Sequence, residues 1–169
     1  KQHNGYINCQ SRLGKGTKFC IYIPITEHRE EIFETFQAKE SPAQGGNELV
    51  LVAEDNPDVR KLIKEVLEKT GYKVLEAVDG NDALHVFNQN KDDVRLMIID
   101  VVMPKKNGKE VYVEIKKAGF HVKTIFISGY TADIINKKGV LEEGIDFIPK
   151  PIYPKKLLEK VREVLSKPP

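Results

Sequence analysis

The chain contains no tryptophan, two cysteines and two methionines among 169 residues, and its net charge is only +2. The near-neutral balance excludes a strong field aimed at nucleic acid, because Lys and Arg are interspersed with acids rather than gathered on one stretch. No apolar run approaches the roughly 18 residues of a membrane-spanning helix, and no signal peptide is visible, so no membrane contact is expected. Cys9 and Cys20 lack metal-ligand spacing. They are expected to be reduced thiols on half-buried strands of a cytoplasmic protein, with a cross-hairpin disulfide as the alternative. The four histidines are far apart, and no chemistry is assigned to them. His28, among acids in Glu27–Glu31, reads as a surface linker residue. The chain opens on Lys1 rather than methionine and is expected to be a fragment of a longer protein.

What is present separates into three textures. Residues 1–26 hold two strand-like runs, Tyr6 to Gln10 and Lys18 to Ile25, around the glycine-containing stretch Ser11 to Thr17. This predicts a β-hairpin, which is marginal alone in water. Residues 27–47 are charged and then rich in turn formers, the texture of a linker. Ile32, Phe33 and Phe36 could line one face of a short helix there. Residues 48–167 alternate strand and helix patterns five times. Asn56-Pro57 reads as an N-cap followed by proline at the first helical position. Val59, Leu62, Ile63, Val66 and Leu67 then mark one helix face, which Gly71 ends. Lys73 to Ala77 is a short strand, and Asp79-Gly80 opens a helix carrying Ala83, Leu84 and Phe87. Later helices are predicted from Val111, Ile115 and Ala118, from Ala132 to Lys137, and from Pro154 onward. The fold class is α/β: a five-stranded, doubly wound parallel sheet with an N-terminal hairpin appendage.

Four apolar runs in this region end in polar residues. Leu49–Ala53 leads into Glu54-Asp55, Leu96–Ile99 into Asp100, Thr124–Ile127 into Ser128, and Ile145–Pro149 into Lys150. Ligand sites of open parallel sheets lie beyond the carboxyl ends of the strands, so these side chains should share one crevice. Three neighbouring carboxylates repel unless a cation is present, and oxygen ligands with room for phosphate suit Mg²⁺. Lys150 fits either a structural ion pair or a counter-charge for a phosphoryl group, and Ser128 can donate to a phosphoryl oxygen. Carboxylate nucleophile, metal, lysine and hydroxyl together are the inventory of phosphoryl transfer. Asp100 is the best nucleophile, because it ends the most apolar strand and Val101-Val102-Met103-Pro104 then turns across the site.

These blocks, from Val52-Ala53-Glu54-Asp55-Asn56 through Ile98–Pro104 and Asn107-Gly108 to Ser128-Gly129 and Phe147–Pro151, resemble the receiver domain of two-component response regulators. The resemblance implies a flavodoxin-like (βα)5 domain over residues 48–167. It implies that Asp100 takes a phosphoryl group from a phosphohistidine. It also implies that Asp55, Asp100 and the Val102 backbone carbonyl hold Mg²⁺ with Glu54 assisting, while Lys150 and Ser128 contact phosphoryl oxygens. Ser128 and Phe147 would be the switch residues, Phe147 acting by packing because it lacks a phenol. Val102 stands where many receivers carry a polar side chain, and Tyr130 is bulky at the site mouth. Both imply slow self-dephosphorylation.

Asn4-Gly5-Tyr6-Ile7, Gly14-Lys15-Gly16-Thr17 and Ile21-Tyr22-Ile23-Pro24 resemble the last strands of a histidine-kinase ATP-binding domain. Together the two resemblances imply a hybrid sensor histidine kinase as parent, with the kinase core of that parent as phosphodonor and a histidine phosphotransfer protein as an onward partner. This chain lacks the phosphorylated-histidine helices and most of an ATP site, so it should not act as a kinase. Its hairpin could pack on the receiver or pair with a second chain to form a homodimer. Two rival readings remain: a receiver that gates its own kinase without onward transfer, and a Mg²⁺-dependent phosphatase-like enzyme. The haloacid-dehalogenase-like enzymes place a second Asp two residues after the nucleophile, where this chain has Val102.

Overall fold

The computed structural model describes residues 5–24, 46–129 and 145–168. The readings made for His28, Ile32, Phe33 and Phe36, for the helix at Ala132–Lys137 and for Tyr130 lie outside those residues. The chain divides into two compact units, Lys1–Ser41 and Pro42–Pro169.

In the first unit, β1 (Tyr6–Arg12) and β2 (Gly16–Tyr22) form an antiparallel hairpin. Pairing runs further toward the turn than the sequence suggested. Ser11 faces Thr17, with their hydroxyl oxygens 2.8 Å apart, and only Leu13-Gly14-Lys15 remain as the turn. β2 stops at Tyr22 rather than Ile25, two residues before Pro24, which has no N–H to give a ladder. Nor are these strands half-buried: every residue of both is exposed except Cys20, which is partly covered. Cys9 lies opposite Phe19, and Cys20 opposite Asn8. Alternation therefore puts the two thiols on opposite faces of the hairpin, and both are free.

The second unit is a five-stranded parallel sheet in the order β4-β3-β5-β6-β7. Its strands are β3 (Leu49–Ala53), β4 (Lys73–Ala77), β5 (Val94–Asp100), β6 (Lys123–Ser128) and β7 (Asp146–Pro149). Four described helices, α1 (Pro57–Glu68), α2 (Gly80–Asn90), α3 (Gly108–Lys117) and α4 (Pro154–Ser166), cover it. The three central strands carry the unbroken apolar runs Leu49–Ala53, Leu96–Ile99 and Ile125–Ile127 because both faces are covered there. Val50, Val52, Leu96, Ile98, Ile125 and Ile127 meet Ile63 and Leu67 of α1 and Leu157, Val161 and Val164 of α4. The alternate residues Leu51, Ala53, Met97, Ile99 and Phe126 meet Ala83 and Phe87 of α2 and Val111 and Ile115 of α3. Each fully buried aliphatic side chain contributes about 1.5–3 kcal/mol.

Helix starts follow the sequence closely. Asn56 accepts from the N–H groups of Asp58 (2.9 Å) and Val59 (3.2 Å), with Pro57 at the first helical position. Asp79 caps α2 through the N–H groups of Asn81 and Asp82. Asn107 and Glu110 form a reciprocal capping box at α3. Two positions differ from expectation. Leu62 sits at the rim of the α1 stripe and is exposed. Ala118 follows the last residue of α3, as its C-cap, and is exposed too. No described helix is long and apolar enough to cross a membrane.

Candidate functional site

Strands β3 and β5 are neighbours, yet the chain leaves them in opposite directions, to β4 on one side and β6 on the other. This reversal opens the crevice in which parallel sheets hold ligands. Glu54 and Asp55 follow β3, and Asp100 is the last residue of β5. One carboxylate oxygen from each lies within 4.8 Å of the others. Glu54 and Asp100 are buried, whereas Asp55 is exposed.

Lys150, following β7, reaches this cluster. Its Nζ is 2.6 Å from Asp100 Oδ2, 2.8 Å from Glu54 Oε2 and 3.1 Å from Glu54 Oε1. The hydrogen-bond direction is met at Oε1 and not at Oε2, which leaves Oε2 buried without an aligned donor. The N–H of Asn56 also donates to Oε1, at 3.2 Å. Asp100 Oδ1 accepts from the N–H of Val102 at 3.1 Å. Ser128 ends β6 fully buried, and its carbonyl accepts the Lys150 N–H at 2.8 Å. The Lys150–Pro151 peptide bond is cis.

Burial pushes the Glu54 carboxyl above its ordinary range; the Lys150 hydrogen bond opposes the rise and the nearby Asp100 charge adds to it. Burial also works against the Lys150 ammonium, but hydrogen bonds and charge from Asp100 and Glu54 outweigh it, and the lysine pKa rises. Lys150 is therefore held firmly charged between two acids. Three carboxylates against one ammonium leave the pocket two negative charges in excess when all are ionised. That excess, carried by oxygen donors alone, fits a hard divalent cation.

The structure thus brings Glu54, Asp55, Asp100 and Lys150 together and seats Ser128 beside Lys150 in the backbone ladder. The Val102 side chain is 58% exposed, while its N–H is engaged by Asp100. Phe147 is half-buried, pairs with Phe126 in register and packs on the α2/α3 core. Two supports escaped the sequence reading. Arg60 of α1 donates from Nη1 to the Glu54 carbonyl at 2.7 Å, and its Nε lies 3.4 Å from Glu76 of β4. It sits one helical turn beyond the Asn56 cap, close enough for a long side chain to fold back, and that spacing was the available signal. Asp79 and Lys105 are joined at 2.6 Å. The sequence marks Asp79 only as a helix opener, and nothing in the local pattern links it to a turn 26 residues away.

Gly108 explains how α3 can start so close to the acid. A Cβ at this position would lie 2.3 Å from the Asp100 carbonyl oxygen and 2.8 Å from Ile99 Cγ2. Its N–H instead donates to the Val101 carbonyl at 3.1 Å, closing the loop that succeeds β5.

An acid pocket at the crevice of a β4-β3-β5-β6-β7 parallel sheet, with a lysine bridging two of its acids, is the arrangement of a receiver-type signalling domain. The profile of the response regulator receiver domain matches residues 50–162, and the chain belongs to this family. Over 99% of its length the chain is 34% identical to Sensor kinase CckA of Brucella abortus (strain 2308). It is also 34% identical, over 69% of its length, to the uncharacterized transcriptional regulatory protein YbdJ of Bacillus subtilis (strain 168). It spans 18% of the first of these relatives and 50% of the second. Among solved structures, the receiver domain from the hybrid histidine kinase CckA is 35% identical. The match has a TM-score of 0.60 and covers 70% of this chain and 99% of that one. A response regulator receiver domain protein from Clostridium thermocellum is 28% identical at a TM-score of 0.63, covering 70% of this chain and 94% of that one.

Proposed function

We propose that residues 48–167 accept a phosphoryl group from a phosphohistidine onto Asp100, within a hybrid sensor histidine kinase. The observation that carries this reading is the Lys150 ammonium set 2.6 Å from Asp100 and 2.8 Å from Glu54 inside a three-carboxylate pocket. A carboxylate oxygen of Asp100 attacks phosphorus, the P–N bond to the donor imidazole breaks, and the imidazole leaves with the bonding pair. Asp55, Asp100 and the Val102 carbonyl, assisted by Glu54, would hold Mg²⁺, which supplies neutralisation of the phosphoryl oxygens. Lys150 stays ionised and gives its charge to one phosphoryl oxygen, and the Ser128 hydroxyl donates to another. Withdrawal of Lys150 from Glu54 and movement at Ser128 and Phe147 would carry the change to a partner surface as a population shift.

The parentage has its own support. The similarity to a sensor kinase runs over 99% of the chain and so includes the hairpin, not only the receiver. The hairpin is then the end of a kinase ATP-binding domain, and the phosphodonor is the kinase core of the same protein. A histidine phosphotransfer protein is the onward partner. Acetyl phosphate with Mg²⁺ should modify the wild type and leave Asp100→Asn unmodified, and beryllofluoride should bind only the wild type. Equal modification of both proteins would remove Asp100 from the reaction. Val102→Asn should shorten the phosphoryl lifetime by letting a side chain position water, and an unchanged or longer lifetime would refute that role.

A further inference from the structure

Among the described residues four polar side chains are buried: Glu54, Asp79, Asp100 and Ser128. Three belong to the site above. Asp79 has no part in that chemistry, although only 5% of it is exposed. Its carboxylate works in two directions. Oδ1 caps α2, accepting from Asn81 N–H at 2.9 Å and Asp82 N–H at 3.0 Å. Oδ2 receives the Lys105 ammonium at 2.6 Å.

Lys105 is the one non-glycine described residue with positive φ, at 65°. On either side of it, Lys106 N–H donates to the Pro104 carbonyl at 2.8 Å, closing a three-residue turn of the rare, strained kind. Such a conformation persists only where its surroundings impose it. Here they do so twice from α2. Asp79 grips the Lys105 side chain, and the Gly80 N–H reaches toward the Pro104 carbonyl at 3.5 Å. A Cβ on Gly80 would lie 2.1 Å from the Lys106 carbonyl oxygen, so helix and loop are in direct contact. The loop so held is the one whose Val102 N–H donates to Asp100.

We propose that Asp79 is a positioning residue for the phosphoacceptor site. Through Lys105 it fixes the turn at 104–106, and the turn fixes the Val102 backbone, which gives its N–H to Asp100. This rests on the function proposed above, in which the Val102 carbonyl faces the same pocket. Asp79 touches no reacting atom; it acts by removing alternative paths for the loop.

The test separates capping from latching. Asp79→Asn keeps a good N-cap but loses the charged bond to Lys105. Lys105→Met removes the same bond from the other side, and Lys105→Arg restores a cation. Titration calorimetry with Mg²⁺ should show about 3- to 10-fold weaker binding for Asp79→Asn and for Lys105→Met. This lies below the full range for an outer-shell partner because Lys105 is more than half exposed. The double variant should be no weaker than either single one, and Lys105→Arg should recover most of the loss. Amide hydrogen exchange at 102–107 in the metal-free protein should quicken in both charge-removing variants. Faster exchange with unchanged Mg²⁺ affinity would reduce Asp79 to a purely structural residue and overturn the proposal. Unchanged exchange would overturn it independently of any metal. If the wild type itself bound no Mg²⁺, the proposed function would fall, while the exchange data would still judge the latch.

Discussion

The hairpin and the parallel sheet are built from the same residue types and have opposite fates. In the hairpin Tyr6, Ile7, Phe19 and Ile21 are 65%, 62%, 62% and 68% exposed, whereas Val50, Ile98 and Ile125 of the sheet are fully buried. Branched and aromatic residues make a strand in both places, because both suit an extended backbone. The two regions differ in cover. Each of β3, β4 and β5 is succeeded by a described helix with an apolar stripe, so the chain supplies its own second layer. β1 is succeeded by three turn residues and β2, which adds width to the ladder but nothing over its faces. The strand signal thus reports backbone preference, and stability comes from the helix that the chain lays over the strand.

The sharpest break of this contrast is a cavity in the sheet. Ile98→Ala should lower unfolding free energy by about 2–5 kcal/mol in denaturant titrations, the range for deleting a buried aliphatic group. Next comes the polar end of the same sheet. Lys150→Ala leaves Glu54 and Asp100 without their shared cation and should cost about 2 kcal/mol, less than the roughly 3–5 kcal/mol of a fully buried pair. Glu54, already shifted upward, can take a proton and limit the loss, and millimolar Mg²⁺ should restore most of it. A Lys150→Ala protein that melts like wild type without metal would mean that the acid pocket is not strained by its charge.

Smaller effects appear with pH in the metal-free protein. The Glu54 pKa is raised above its ordinary 4.5, so the native state binds that proton more tightly than the unfolded chain. Its contribution is full below 4.5 and declines as pH rises through the raised value. The Asp79 pKa is lowered below its ordinary 3.8, chiefly by the Lys105 hydrogen bond. Its contribution is full above 3.8 and is lost as pH falls through the lowered value. Melting temperatures followed from acidic to neutral pH should therefore show both trends, with the upper one absent in Glu54→Gln and the lower one in Asp79→Asn. The smallest effect belongs to the hairpin: Ile21→Ala should alter the receiver's unfolding midpoint by less than about 0.5 kcal/mol, the range of an exposed substitution. A larger shift would show that the hairpin's apolar faces are covered in solution.

Much of this was legible in the sequence, for definable reasons. The central strands declared themselves because burial on both faces demands unbroken apolar runs, and such runs are conspicuous. Glu54, Asp55, Asp100, Ser128 and Lys150 were visible as polar residues ending those runs. Local chemistry marked two helix starts, since Asn56 and Asp79 each cap the segment next in the chain, whereas the Asn107 cap was hidden in a stretch that reads as a turn. The hairpin boundaries were less readable, because alternation continues through Ser11 and Thr17 and cannot say where pairing ends. Arg60 and the Asp79–Lys105 pair were missed because their partners are backbone atoms or distant residues, which no periodicity encodes.

Gly80 packs against the loop after β5 and Gly108 ends it, and at each a Cβ would lie within 2.3 Å of a backbone carbonyl oxygen. In the same loop, Val102 stands open to solvent. Selection acting on this loop therefore faces two different rules. Its path is nearly closed to change, since a substitution at either glycine must displace main chain. Its chemistry is open, since a residue such as Val102 can be exchanged without disturbing that path. A library randomised at position 102, with both glycines and Lys105 held, would explore phosphoryl lifetimes while leaving the scaffold intact.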